Sequence, residues 1–451
     1  MNRTTRLIGT IRPTSQPFTA YLYQQTRLHP HSLTAPGYTM RQSYLIFSIF
    51  ALGLCASPGA DPVAVDASTL TGKIMCGYQG WFNCEGDGAE LGWTHWARHG
   101  RRMFGPGNVT VDLWPDVSEF GADELFPTGF KMADGSPAPV FSSHNRKTVL
   151  RHFRWMEEYG IDGAFLQRFA NGLQGNALTD HKDAVLSHVR EGSQQSGRAY
   201  AIMYDLSGLK KGGTSVVKDD WLKLKRESIT GDSSYLHHEG KPLVSIWGVG
   251  FNDNRKYTLT ECRELIEFLK ADGCAVMLGV PFWWRDGGRD STEDLERLKI
   301  LALADVVSPW TVGRYHNPKQ VEELADKVLR HDLIWCQERG IDFLPVVFPG
   351  FSWFNLQGDE MNKIPRLKGE FFWSQIVAAK SIGCEMIYVA MFDEVDEGTA
   401  IFKCSNDVPV GEGVSFLGLE GLPSDYYLRL TGEGGKLLRG EIPANSERPA
   451  P

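Results

Sequence analysis

The chain has 451 residues, enough for one large barrel or two ordinary domains, and its 42% hydrophobic and 23% charged residues are those of a globular protein. Its 47 basic and 55 acidic residues leave a net charge of −8 with no basic block, which argues against a nucleic-acid partner, because phosphate neutralisation needs clustered Lys and Arg. Thirteen tryptophans are many, and such rings serve either a core or a sugar-stacking surface.

The first element is an apolar run at 44–56 (YLIFSIFALGLCA), preceded by Arg41 and followed by Ser57-Pro58-Gly59-Ala60. It is short for a bilayer span, and a basic start, an apolar run and small residues form the layout of a secretory signal peptide. Its position predicts a true start at Met40, with 1–39 a misassigned start or disordered extension and 40–60 the signal. The mature protein is then secreted or periplasmic, with no membrane association after cleavage. An uncleaved N-terminal anchor is the competing reading, and a lipoprotein reading ranks lower, because it needs a small residue before Cys55 and Leu54 stands there.

Eight short apolar segments follow, at 73–78, 163–167, 199–204, 242–247, 274–280, 304–308, 343–348 and 386–391. They alternate with helical patterns at 147–159, 261–271, 319–339 and 370–382. In the first of these, Leu150, Phe153 and Met156 share a face and Gly160 suits the stop, while Pro318 suits the start of the third. Eight strand–helix units predict an α/β fold, a (β/α)8 TIM barrel over 70–440, with 441–451 a flexible tail. No Gly-x-Gly-x-x-Gly follows the first strand, which disfavours a doubly wound open sheet. Residues 79–145, rich in Gly, Pro, Trp and His, form a long loop insertion after strand one and open on the C-terminal face, where barrel active sites lie. Residues 405–451 show no further strand–helix unit; Tyr426-Tyr427-Leu428 and Leu437-Leu438 are expected to pack back on the barrel.

The cysteines beyond Cys55 (Cys76, Cys84, Cys262, Cys274, Cys336, Cys384 and Cys404) have no zinc spacing. Cys76 and Cys84 flank a tight loop, and whether they pair is left open. No metal and no cofactor is expected.

Polar and aromatic groups gather at the ends of the strands. The expected substrate-binding set is Tyr78, Gln79 and Trp81 after strand one, Gln167 and Arg168 after strand two, and Tyr204 and Asp205 after strand three. Strands five to seven add Trp283, Trp284, Arg285, Arg314, Tyr315 and Trp353. Asp205 is the best additional acid, while Trp247 and Trp310 are expected to pack under loops. Strand eight runs into Met391-Phe392-Asp393-Glu394-Val395-Asp396-Glu397-Gly398-Thr399, with Glu394 and Glu397 three residues apart where strand gives way to loop. Two acids at the end of a barrel strand suit sugar hydrolysis, in which one protonates the leaving oxygen and the other drives attack at the anomeric carbon.

Gly160-Ile161-Asp162-Gly163 before strand two, Pro349-Gly350 after strand seven and Glu-x-x-Glu-Gly-Thr at 394–399 together resemble the glycoside hydrolase family 71/99-like group, the endo-α-mannosidase-like clan, across residues 70–405. The resemblance implies a retaining hydrolase of α-linked glycans, endo-acting on mannosides or glucosides, with an oligo- or polysaccharide substrate. It assigns Glu394 as the base on the sugar 2-hydroxyl and Glu397 as general acid and then base. The chain departs from that motif at Asp393, where those enzymes have Asn, and at Val395-Asp396, where they have Trp-His. The strand-one segment 76–82 (CGYQGWF) also differs from their Tyr-Pro-Trp-Tyr and resembles a divergent bacterial branch.

Three other readings stay open. One is a catalytically inactive carbohydrate-binding barrel. Another makes Asp393, Glu394, Asp396 and Glu397 a calcium or magnesium site. The last is an inverting enzyme, whose carboxyl groups stand about 6.5–9.5 Å apart.

Overall fold

Strands covered on both faces carry apolar residues at nearly every position, because neither side chain parity meets water. The eight apolar segments do form such strands in the computed structural model, which describes residues 64–443 and 447–450. They are β1 (Ile74–Tyr78), β2 (Gly163–Phe169), β3 (Ala199–Asp205), β4 (Lys241–Trp247), β5 (Ala275–Pro281), β6 (Val306–Trp310), β7 (in two pieces, Asp342–Phe343 and Val346–Val347) and β8 (Ile387–Val389). The 1–39 extension and the 40–60 signal segment lie outside the described residues.

Each strand pairs in parallel with its sequence neighbours, and β1 pairs with both β2 and β8. The two pieces of β7 complete the ring: the first pairs with β6 and the second with β8. Leu344 N–H donates to the Val307 carbonyl at 2.9 Å and Tyr388 N–H to the Pro345 carbonyl at 3.0 Å, so bonding continues across the break. The break falls where Pro345 has no N–H to give. The result is a (β/α)8 barrel.

Among the described residues, the α-helices longer than four residues are α1 (Arg146–Glu158), α2 (Ala177–Ser196), α3 (Ser215–Arg226), α4 (Leu259–Ala271), α5 (Glu296–Leu301), α6 (Pro318–Leu324), α7 (Arg330–Gln337), α8 (Glu370–Ile382) and α9 (Tyr426–Arg439). Their starts follow local chemistry: Asn145, Asn176 and Asn317 accept backbone N–H groups at N-caps, and Thr258 with Glu261 forms a capping box. The 319–339 pattern, expected as one helix, is α6 and α7 joined by a π-turn at Ala325–Leu329.

After residue 405 the described residues hold one helix, α9, with no strand of its own, and it carries Tyr426-Tyr427-Leu428 and Leu437-Leu438. Its interior glycines lower helix propensity but permit close packing. A Cβ at Gly432 would lie 1.8 Å from the Tyr159 carbonyl oxygen, and one at Gly434 would lie 2.7 Å from Ile376 on α8. Of the tail expected to be flexible, Arg448 lies against α9, with its guanidinium over the Tyr426 ring.

Between β1 and α1, residues 79–145 build a structure of their own around stacked rings. Phe82 meets Trp96 at 4.5 Å, Phe104 meets Phe130 at 5.1 Å, and Phe104 stacks on Trp114 at 5.6 Å. A short hairpin pairs Leu125–Phe126 with Val140–Phe141. The segment is tied to the end of the barrel, since Asp112 N–H donates to the Val395 carbonyl at 3.0 Å. The Asp112 carboxylate accepts Phe354 N–H and Asn355 N–H at 2.7 and 2.8 Å.

Cys76 and Cys84 are free, and the Cys84 thiol donates to the Phe141 carbonyl instead. Among the described residues, no helix is long and apolar enough to cross a membrane.

Candidate active site

Alternation along each strand decides which groups reach the barrel interior. Phe169, Asp205, Trp247 and Gly279 stand side by side in register across β2 to β5. Gly279 leaves space for its neighbour, because a Cβ there would fall 2.3 Å from the Trp247 ring. The C-terminal ends of the strands line a cavity of about 560 Å³.

Eight of the expected site residues line this cavity: Gln79, Trp81, Gln167, Asp205, Arg314, Trp353, Glu394 and Glu397. The other seven do not, and alternation explains the three from β1 to β3. Tyr78 points outward, where its hydroxyl meets His152 Nδ1 at 2.9 Å. Arg168 and Tyr204 are register partners and both reach Asp220, at 3.0 and 2.7 Å.

The remaining four are occupied elsewhere. Trp283 lies under the Arg289 guanidinium at 3.7 Å, and Trp284 is buried edge-on against Trp335 at 4.9 Å. Arg285 pairs with Asp332 and Asp286 at 2.9 and 2.8 Å. Tyr315 packs on Phe348 at 5.6 Å, and its hydroxyl donates to Gln375.

Trp247 and Trp310, expected under loops, line the cavity, with their rings edge-on at 5.4 Å. Each sits at an inward register position (Trp247 opposite Gly279, Trp310 opposite Pro281), a parity that the spacing from Ser245 and Ser308 carries in the sequence. Phe251, Asp290 and Lys363 also line the cavity, and loop positions of this kind carry no periodic signal.

Glu394 and Glu397 sit in unlike surroundings. Glu394 Oε1 accepts from Gln79 Nε2 at 2.7 Å, and Oε2 accepts from the Thr399 hydroxyl at 2.8 Å. Glu397 is half-buried, and among the described residues no side chain donates a hydrogen bond to it; the Trp353 indole N–H stands beside it without completing one. Burial raises the Glu397 carboxyl to about 8, the Asp396 charge adds to the rise, and the Trp353 indole opposes it. Burial also raises Glu394 well above the ordinary range, with the Glu397 charge next in weight. The pair therefore retains a proton near neutrality, and at Glu394 the two dedicated donors oppose burial and favour the anion.

The flanking acids are structural ties. Asp393 accepts the backbone N–H groups of Gln79 and Gly80, each at 2.8 Å, which fixes the end of β1 against the end of β8. Burial raises its carboxyl to about 7. Asp396 Oδ2 lies 3.1 Å from His95 Nδ1, and the His95 ring stacks on Trp81 at 3.7 Å and 6°. With Asp393 and Asp396 so engaged, the four acids do not converge; among the described residues no group of three or more His, Cys, Asp or Glu side chains is placed to hold a metal.

No protein-family model matches the sequence, and no curated protein matches it. Among solved structures, the chain is similar to the GH99 endo-alpha-mannosidase from Bacteroides thetaiotaomicron, with a TM-score of 0.59 at 15% identity over 82% of this chain and 99% of that one. It is similar to that organism's GH99 endo-alpha-mannosidase in complex with BIS-TRIS-Propane, with a TM-score of 0.58 at 14% identity over the same 82% and 99%. At such identity the likeness is one of fold, and it agrees with the family 71/99-like resemblance at the end of β8.

Proposed function

We propose that this chain is a retaining glycoside hydrolase acting on α-linked glycans, of the mannoside or glucoside type, with an endo mode of attack. The single observation that carries the reading is the unequal Glu394–Glu397 pair in the cavity at the C-terminal ends of the strands, one carboxyl holding two side-chain donors and the other none. The structural likeness to an endo-alpha-mannosidase supports the choice of substrate class.

In this reading the Glu394 carboxylate takes the proton of the sugar 2-hydroxyl as that oxygen attacks the anomeric carbon. Glu397 gives its proton to the departing glycosidic oxygen, so the bond to the leaving sugar breaks with a neutral product. Water then opens the internal 1,2-anhydro ring. The Glu397 carboxylate accepts the water proton, Glu394 returns a proton to the 2-oxygen, and two inversions give net retention. The raised Glu397 carboxyl suits a group that starts as an acid. Trp81, Trp247, Trp310 and Trp353 offer flat faces to pyranose rings. The same reading takes the mature protein to be secreted or periplasmic.

The test is digestion of a panel of α-linked glycans by wild type, Glu394→Gln and Glu397→Gln, with product anomers followed by NMR. The expected result is release with retained configuration, slowed by roughly 10²–10⁴ in each variant. Equal release by wild type and variants would move the chemistry off β8. Binding without release from any glycan would favour an inactive sugar-binding barrel.

A further inference from the structure

Several charges around the cavity cancel in pairs. Arg314 lies 2.7 Å from Asp290, Lys363 lies 2.6 Å from Asp359, and the Arg255 guanidinium grips both oxygens of Asp253 at 2.8 Å. Among the described residues, three carboxyls facing the cavity have no cation at ion-pair distance: Glu394, Glu397 and Asp205. The first two belong to the proposed chemistry, which needs only two acids.

Asp205 transfers no proton in that chemistry, although its charge adds to the rise at Glu397. It is only 7% exposed, yet it lines the cavity. Ser207 N–H donates to its Oδ1 at 2.7 Å, and the nearby Arg255 charge that favours its ionised form is offset by Asp253, which that guanidinium grips with both arms. A buried carboxylate without an ion pair of its own is costly to keep ionised, and burial holds this one up at about 6. The wall beside it is aromatic: Trp247 is its register neighbour on β4, and Trp310 meets Trp247 edge-on. The Trp247 ring already carries a cation, the Arg255 guanidinium 5.0 Å from its centroid.

An unpaired buried acid beside indole rings offers an ammonium a Coulomb partner and a cation–π surface together. A neutral sugar hydroxyl would supply a hydrogen bond but leave the charge uncompensated. A multivalent metal ion would need converging ligands, which the described residues do not provide. We propose that the cavity takes a basic glycan, with a sugar unit bearing a free protonated amine seated between Asp205 and the Trp247–Trp310 wall. This rests on the glycosidase reading for its substrate class. The unit whose bond is cleaved must keep its 2-hydroxyl, so the amino sugar occupies the adjoining position.

The experiment is calorimetric titration of the whole protein at pH 7 with an α-linked oligosaccharide in which glucose, which keeps its 2-hydroxyl, alternates with glucosamine, and with the same oligosaccharide after chemical N-acetylation. Wild type is expected to bind the free amine about tenfold tighter than the acetylated form. In Asp205→Asn, checked for an unchanged melting transition, the two forms should bind within about twofold of each other. Equal binding by wild type, no binding of either form, or a preference that survives in Asp205→Asn would each overturn the inference. Reducing ends are counted in the same mixtures and with neutral α-glycans. Release from neutral glycans without amine preference overturns this inference and leaves the hydrolase standing. Amine-selective binding with no release from any glycan does the reverse.

Discussion

Gln79 Nε2 donates to Glu394 Oε1 at 2.7 Å, while the Gln79 backbone N–H donates to Asp393 Oδ1 at 2.8 Å. One residue at the end of β1 thus holds two neighbouring acids at the end of β8. A charge-assisted bond to a carboxylate contributes about 1.5–3 kcal/mol. Gln79→Leu is therefore expected to lower kcat/KM by about ten- to a hundredfold. Because the lost donor favoured the anion, Glu394 becomes harder to ionise and the acid limb of the pH–rate profile moves to higher pH. An unmoved limb would separate Gln79 from the proton affinity of Glu394.

In the proposed mechanism Glu397 enters the first step protonated, and its carboxyl is raised to about 8. kcat/KM for a natural glycan is expected to fall as pH rises through about 8. An activated aryl glycoside, whose leaving group needs no proton, should show a weaker basic limb, which a parallel pH profile on the two substrates would reveal.

Stability should also fall with rising pH between about 6.5 and 8. Asp393 at about 7 and Glu397 at about 8 keep protons in the folded chain that the unfolded chain has already released, so raising the pH favours unfolding until both are ionised. Below that window His152 and His181, lowered by burial to about 3 and about 4, act in the opposite sense, which is why the window opens only at 6.5. Melting curves across 6.5–8 check this, and Glu397→Gln should flatten the slope.

Arg168 and Asp220 bear on stability rather than substrate. Both are buried, 2.5 Å apart at their closest atoms, and lie outside the cavity. Asp220→Ala leaves a buried guanidinium short of a partner and should cost about 3–5 kcal/mol in denaturant unfolding. kcat/KM well below the melting temperature should stay within about twofold of wild type.

Gly432→Ala should reverse the usual sign. In an exposed helix interior the change gains about 1 kcal/mol. Here the new Cβ would lie 1.8 Å from the Tyr159 carbonyl oxygen, so α9 must move and the variant should lose about 1–3 kcal/mol. A raised melting temperature would mean that α9 does not need that approach.

By itself the sequence determined the barrel and its two acids. Strands buried on both faces need unbroken apolar runs, so all eight were legible, and Glu394 and Glu397 were legible because they follow directly on the last of them. Tertiary structure decided the rest. A strand end read as consecutive residues cannot say which parity faces inward; register placed Asp205 and Trp247 inside and sent Arg168 and Tyr204 out to Asp220. Helix α9 was hidden because Gly432, Gly434 and Gly435 weaken its local signal, while the close packing they allow forms only once the barrel exists. The pairing of His95 with Asp396 spans three hundred residues of chain, a distance over which no local pattern carries information.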